Sequence, residues 1–260
     1  MPKEIISVSD ITSYLFCPRK LWLSRVKGIR EPPNREMILG RIKHKALELF
    51  SLIEQEFILF ISSPMNKEEL IEEYKNLIRQ SAIKAYEMNA DIAEKFSLNL
   101  TTFLAEFLPS TENEINLRIK PLLEAMKLYS GREIWEHLTP KYKVEFSLIS
   151  ESLGIKGRID RVSFSNEIIP FEIKTRVKER IYDTDKIQLA AYALLLEDRY
   201  KTKIAKGIVE MKTKKQEIIL DDDLKSQVLE LAEKVRNIQP EFPSSFSKCQ
   251  SCGLKEECSK

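Results

Sequence analysis

The sequence predicts an α/β fold: a mixed β-sheet core flanked by helices, behind a helical N-terminal half. Three observations predict it. Residues 66–138 carry apolar side chains at helical spacing throughout. After Pro140 the period changes to alternation, with Tyr142, Val144, Phe146 and Leu148 on one strand face. From there the chain reads strand, strand, strand, helix, strand, strand, helix, which suits a mixed sheet with helical cover.

Taken in order, residues 9–16 read as a short helix started by Ser9 and ended by Cys17-Pro18. Pro18 can open a second helix carrying Leu21, Trp22 and Val26, because a first helical position needs no N–H. Arg35 to about Phe60 reads as a long helix with Gly40 and His44 one turn apart. Asn66-x-x-Glu69 and Thr111-x-x-Glu114 resemble capping boxes, and Leu70, Tyr74, Leu77 and Ile78 form a helical stripe. Pro121 should kink or break the last of these helices. Residues 154–165 and 167–175 read as strands joined by a turn near Ser165-Asn166. A helix from about Asp185 to Tyr200, strands over 205–213 and 216–220, and an amphipathic helix carrying Leu224, Val228, Leu231 and Val235 complete the core. Pro240 and Pro243 lead into the tail. This organisation predicts a single domain over 1–260: N-terminal helices (1–60), a helical insertion (61–139), a sheet core (140–240) and a cysteine tail (241–260).

At 260 residues, 43% hydrophobic and 32% charged, the composition is that of a soluble globular protein. No apolar run approaches the ~20 residues that span a bilayer, so no membrane association is expected. Met1-Pro2-Lys3-Glu4 carries an acid and lacks an apolar h-region, which predicts a cytoplasmic protein. There thiols stay reduced, and four cysteines hold a metal more readily than they form disulfides. A net charge of +2 argues against general polyanion binding. Locally, Arg19, Lys20, Arg25, Lys27 and Arg30 run without an intervening acid, and Lys206, Lys212, Lys214 and Lys215 form a second group. Phosphates need positive charge only where the backbone lies, although solvated surface is the plainer account of either run.

The chemistry centres on Gly157-x-x-Asp160 and Glu172-x-Lys174. Side chains two apart on a strand share a face, so Glu172 and Lys174 point together, opposite Ile169, Phe171 and Ile173. Eleven residues separate Asp160 from Glu172, enough for a hairpin to bring the two acids together. Two carboxylates beside a lysine suit phosphodiester hydrolysis: the acids hold Mg²⁺ or Mn²⁺, and the lysine orients water or steadies developing negative charge. A surface hairpin with acid–lysine pairs is the plain alternative. Gly157 permits a close backbone approach, and Pro170 would interrupt regular pairing just before Glu172. His44 has Gly40 a turn earlier and Glu48 a turn later, which could hold its ring; a packed or surface histidine is the alternative. Glu145 is a minor candidate, and His137 has no assignment. Gln188 and Tyr192 project together from one helix, suited to gripping a nucleotide or phosphate, while Asp185-x-x-Gln188 also reads as a capping box.

Cys17 stands alone, whereas Cys249, Cys252 and Cys258 fall in the last twelve residues. This is not the paired knuckle of typical structural zinc sites, and four thiolates suit an iron–sulfur cluster, with zinc as the alternative. Either would close a loop of more than two hundred residues and join the two chain ends.

In this order, Gly40-x-x-x-His44, Gly157-x-x-Asp160, Glu172-x-Lys174 and Gln188-x-x-x-Tyr192 resemble the RecB-type nuclease motifs of the PD-(D/E)xK superfamily. The resemblance implies a restriction-endonuclease-like core. It further implies His44, Asp160 and Glu172 as ligands to Mn²⁺ or Mg²⁺ with the Ile173 carbonyl, Lys174 as the catalytic lysine acting with Asp160 and Glu172, and Gln188 and Tyr192 as positioning residues. The uneven cysteine set is similar to that of the iron-staple nucleases, above all the compact CRISPR-associated exonuclease family, Cas four. Ser9-Asp10-Ile11 and Tyr14-x-x-Cys17-Pro18-Arg19-Lys20-Leu21-Trp22 look like that family's opening. It covers roughly 7–60 and 140–258 and leaves 61–138 as an enlarged helical segment.

What this implies is a 4Fe-4S (rather than 2Fe-2S) cluster on Cys17, Cys249, Cys252 and Cys258, and exonuclease action on single-stranded DNA, from the 5′ end. Fragments captured as CRISPR spacers would be trimmed, with the CRISPR integrase and a second copy as possible partners. Tyr14, Phe16 and Trp22 are candidates to line a single-strand channel, with core packing as the alternative. Two other readings remain open: a non-catalytic DNA-end-binding or integrase-partner module, and a repair exonuclease outside CRISPR.

Overall fold

Ser7 opens the first helix. Its hydroxyl accepts from Asp10 N at 3.0 Å, and the Asp10 carboxylate accepts from Ser7 N at 3.0 Å. This reciprocal box displaces Ser9, the expected cap, whose hydroxyl bonds Ser7 Oγ instead. The computed structural model describes residues 3–174, 180–211, 214–241, 249–250 and 252–258. Met1, Pro2, Lys212 and Pro243, and the ends of the expected strands at 175 and 212–213, lie outside the described residues.

The chain forms two compact units: residues 1–32, 146–163 and 167–260 in the first, and 33–145 with 164–166 in the second. The first unit contains β1 (Ile6–Ser7), α1 (Val8–Phe16) and α2 (Pro18–Arg25). After the second unit's helices come β2 (Lys141–Ser150), which begins in the second unit and ends in the first, β3 (Ile155–Phe164) and β4 (Ile168–Ile173). Then follow α9 (Asp183–Tyr200), β5 (Lys206–Glu210), β6 (Lys215–Ile219), α10 (Asp222–Arg236) and α11 (Lys255–Cys258). The sheet runs β1-β3-β4-β5-β6, with β2 also pairing β3. β1 is parallel to β3 and β4 to β5, whereas β5 and β6 are antiparallel. The mixed α/β expectation therefore holds. Pro170 stays within β4, and the β4–β5 ladder begins one residue later at Phe171↔Ile208, so the missing N–H falls outside that ladder.

α9 is apolar on nearly every side because it is buried on nearly every side, packing on β4 and β5 and against α1 and α10. Asp185, offered above as a possible cap for a helix starting there, instead lies inside the first turn and accepts from Tyr182 N at 2.8 Å. Lys225 of α10 ties this layer down: its buried Nζ donates to Glu197 Oε1 at 2.7 Å and to the Ile204 carbonyl at 2.9 Å.

The second unit is helical: α3 (Arg35–Leu59), α4 (Lys67–Glu87), α5 (Ala90–Lys95), α6 (Leu100–Phe107), α7 (Glu112–Met126) and α8 (Arg132–His137). The Asn66–Glu69 box forms as read. The Thr111–Glu114 box does not. Thr111 Oγ1 donates back to the Leu108 carbonyl, and Glu114 is drawn to Arg118 Nε at 2.7 Å. Nor does Pro121 break α7, which runs through it with Arg118 and Leu122 buried on either side. Packing on both flanks outweighs the lost hydrogen bond. Arg118 is itself paired with buried Glu54, which also accepts from Tyr74 Oη at 2.9 Å. Burial raises the Glu54 carboxyl above its ordinary range despite Arg118. Among the described residues no helix is long and apolar enough to cross a membrane.

Candidate active site

Adjacent strands place the chemistry. β3 carries Asp160 and β4 carries Glu172, and Asp160 Oδ2 accepts the Ile173 N–H at 2.7 Å, locking the acid to the strand that bears its partner. The hairpin expected from the spacing thus brings the motifs together. Gly157 makes this possible from below. A Cβ there would lie 2.9 Å from Leu195 Cδ1 and Val8 Cγ2 and 3.3 Å from the ring of Tyr192. Its role is to let α1 and α9 close onto β3, and it is the physical link between the glycine and tyrosine of two separate motifs.

Glu172 is 4% exposed, so both faces of β4 are covered there and the simple contrast of one polar and one apolar face does not hold. Lys174 Nζ donates to Glu172 Oε1 at 2.6 Å and to Gln188 Oε1 at 3.2 Å, and lies 3.4 Å from Asp185 Oδ1. Gln188 Nε2 then donates to Tyr192 Oη at 2.8 Å. Gln188 and Tyr192 therefore meet as i, i+4 neighbours, and they reach the lysine as a relay. Asp185, 1% exposed, is the residue that sequence reasoning missed as part of this site. Its sign was an acid on the same helical face one turn before Gln188, masked by the capping pattern.

Burial lifts the Glu172 carboxyl, the negative charge of Asp160 lifts it further, and Lys174 offsets only part, leaving its pKa at about 8. Burial works against the Lys174 charge, but Glu172, then Asp185 and Asp160, hold the proton on and raise its pKa. Glu172 Oε2 is buried with no hydrogen-bond partner among the described residues. An orphaned carboxylate oxygen beside a second acid is a deficit that a cation corrects, so this donor set fits Mg²⁺ or Mn²⁺.

In the second unit, His44 Nδ1 lies 2.5 Å from Glu145 Oε1. The ring is held by Glu145 and not by Glu48, which pairs with Lys45 at 2.9 Å. Glu145 sits at φ +53°, a left-handed kink that turns its side chain inward in β2 and breaks the alternation. That kink has no sequence signature, which is why Glu145 looked minor. A Cβ on Gly40 would meet nothing within 4 Å, so the space beside it is open. His137 stacks on Tyr129 at 4.2 Å between ring centroids.

All four cysteines are free thiols. Cys17 is buried between α1 and α2, and α11, which ends in Cys258, packs on α2. Four thiols, with the tail packed on the helix that Cys17 opens, are a donor set that fits a metal or iron–sulfur centre. The basic run here is partly neutralised: Lys20 by Glu31 at 2.5 Å, and Arg25 by Glu4 at 2.5 Å and Asp10 at 2.8 Å. In the second group Lys206 meets Glu167 at 2.9 Å and Lys215 meets Glu210 at 3.1 Å. Arg19 and Lys27 lie over Trp22 at 4.9 and 5.2 Å.

Residues 5–259 match the sequence model of the PD-(D/E)XK nuclease superfamily. A CRISPR-associated exonuclease Cas4/endonuclease Cas1 fusion from Leptospira interrogans is 28% identical over 152 residues, 51% of this chain and 28% of the fusion. The DNA replication ATP-dependent helicase/nuclease dna2 of Schizosaccharomyces pombe is 25% identical over 275 residues, 99% of this chain and 18% of the relative. The chain thus spans less than a third of the length of either curated relative. A solved structure, "Crystal structure of SSO0001", aligns over 61% of this chain and 79% of its own at 19% identity, with a TM-score of 0.33.

Proposed function

This chain belongs to the PD-(D/E)XK nuclease superfamily, and from that premise we propose that it is a metal-dependent deoxyribonuclease acting at Asp160, Glu172 and Lys174. The observation that carries this is the buried Glu172 Oε2, which has no hydrogen-bond partner among the described residues, on a carboxylate that faces Asp160 and whose Oε1 accepts from Lys174 at 2.6 Å. Asp160, Glu172 and the Ile173 carbonyl hold the divalent ion, and the motif resemblance adds His44, whose contact with Glu145 is the carboxylate–histidine pairing that orients ligating histidines. Bound there, Mg²⁺ or Mn²⁺ supplies an activated water and neutralises phosphate charge. Lys174 presents its ammonium to the water or to the developing negative charge. Gln188, backed by Tyr192, and Asp185 hold that ammonium in place.

The substrate we propose is single-stranded DNA, or DNA with single-stranded ends, cut as an exonuclease from the 5′ end. The CRISPR setting, trimming of captured fragments beside an integrase, is supported by the named fusion relative. A second reading, a replication or repair nuclease outside CRISPR, is favoured by the match of 99% of this chain to the helicase/nuclease relative. An iron–sulfur cluster on Cys17, Cys249, Cys252 and Cys258 joins the chain ends in either reading, and zinc is the competing centre. A cytoplasmic setting accords with the free thiols.

The test is cleavage of 5′- and 3′-labelled single-stranded DNA with Mn²⁺, Mg²⁺ or EDTA, comparing wild type with Asp160→Ala. Metal-dependent cutting lost in the variant is expected, and the label pattern gives polarity. A fully active Asp160→Ala protein rules out this site, and DNA binding by folded wild type without any cutting favours a non-catalytic end-binding module.

A further inference from the structure

Glu31 lies in the segment after α2, on the chain that Cys17 begins. Its Oε1 accepts the backbone N–H of Gly253 at 3.0 Å, and its Oε2 takes the Lys20 ammonium at 2.5 Å. The fit is close. A Cβ on Gly253 would lie 2.2 Å from Glu31 Oε1 and 2.6 Å from its Cγ. The neighbouring Leu254 is 3% exposed, so the tail is also docked by an apolar side chain. Within the tail, Cys252 N donates to the Cys249 carbonyl at 3.3 Å, Lys255 N to the Cys252 carbonyl at 3.2 Å, and Cys258 N to the Leu254 carbonyl at 2.9 Å. Backbone hydrogen bonds thus run through the tail from Cys249 to Cys258, and the Glu31–Gly253 bond and the burial of Leu254 hold it without using a thiol.

From this geometry we propose that Glu31 and Gly253 form a metal-independent clasp, with Lys20 bracing the carboxylate. The clasp seats the three tail cysteines against the α1–α2 elbow of Cys17 before any centre is built. The inference rests on the four-thiolate reading above. Bringing two chain ends together across more than two hundred residues costs loop-closure entropy, and a tail already docked has met that cost before the metal arrives. A Cβ at 253 would fall on the Glu31 side chain, so a larger residue there makes the carboxylate shift from the position in which it accepts the Gly253 N–H. Glu31 is a positioning residue: it touches the tail backbone and leaves the thiols to the metal.

The experiment compares full-length wild type, Glu31→Ala, Glu31→Gln and Gly253→Ala in two states. In metal-free, reduced protein, mass spectrometry follows iodoacetamide alkylation of Cys252 and Cys258 and hydrogen exchange at the Gly253 amide. After reconstitution with Fe²⁺ and sulfide, visible absorbance follows iron loss to EDTA. Glu31→Ala and Gly253→Ala are expected to alkylate, exchange and lose iron about tenfold faster or more, the scale of one hydrogen bond to a charged group. Their far-UV circular dichroism stays that of wild type, and Glu31→Gln, which keeps an acceptor, stays close to wild type. Wild-type alkylation and exchange rates in both Glu31→Ala and Gly253→Ala overturn the clasp. A wild type that takes up neither iron nor zinc overturns the four-thiolate reading, while the alkylation contrast in metal-free protein still decides the clasp.

Discussion

Lys174 Nζ is 2.6 Å from Oε1 of Glu172, a buried carboxylate whose second oxygen has no hydrogen-bond partner among the described residues. One ammonium thus answers half of a carboxylate that also faces Asp160. Ionising Glu172 adds negative charge that Lys174 only partly balances, and the site's behaviour toward mutation, protons and metal follows from that imbalance.

Replacing Asp160 by Asn keeps an oxygen to accept the Ile173 N–H but removes the charge that helps lift Glu172. Metal-dependent cleavage should fall by about 10²-fold or more. The metal-free protein should become more stable, by up to ~1 kcal/mol, seen as a melting temperature ~2–4 °C higher. A calorimetric scan paired with a cleavage assay checks both; a lower melting temperature would count against charge repulsion at the pair.

Proton and metal compete for Glu172. Its folded pKa of about 8 stands above the ordinary 4.5, so the stability tied to its proton is complete below about 4.5 and lost as pH rises through about 8. A divalent ion needs the carboxylate form. Mn²⁺ affinity of the wild type should therefore rise about tenfold per pH unit from pH 6 to 8, then level off. Titration calorimetry in two buffers of different ionisation enthalpy would show about one proton released per ion at pH 7. No proton release at pH 7 would contradict the buried, protonated Glu172.

Asp185 and Gln188 hold the lysine from the side of α9. Asp185→Asn keeps an oxygen for the Tyr182 N–H, so the helix start survives. Turnover should drop about tenfold with little change in KM, because the lysine is displaced in the reacting complex and not in DNA binding. Gln188→Glu, which retains the acceptor, should keep more of the activity than Gln188→Leu. Equal losses in both would mean that Gln188 serves only to pack.

Gly157→Ala tests the packing role of the motif glycine. The new methyl group meets Val8 and Leu195 at 2.9 Å, closer than carbon atoms approach in a packed core. The expected cost is about 1–3 kcal/mol in a urea melt. Activity per folded molecule should fall as well, because the ring of Tyr192 is the third neighbour and Tyr192 bonds Gln188.

How much of this was legible in the chain differs residue by residue. That Asp160, Glu172, Lys174, Gln188 and Tyr192 come together was readable because strand and helix periods dictate which side chains share a face, and β3 and β4 adjoin in sequence as well as in space. Ser7 was not, since Ser9 offers the same hydroxyl and only the reciprocal bond with Asp10 decides between them. Thr111 failed as a cap because Glu114 has a stronger claim on Arg118, a partner within α7 that itself pairs with Glu54.

The sequence by itself determined the order of the core elements from β2 to α10, the acid–acid–lysine set and the uneven division of cysteines, all properties of local spacing and residue chemistry. Tertiary structure alone decided which partner each charged group has: Glu145 in place of Glu48 for His44, Asp185 for Lys174, Glu31 for Gly253. Those choices turn on a left-handed residue in a strand, the burial of a helix N-terminus and a contact across more than two hundred residues, and burial and long-range proximity have no local period to betray them.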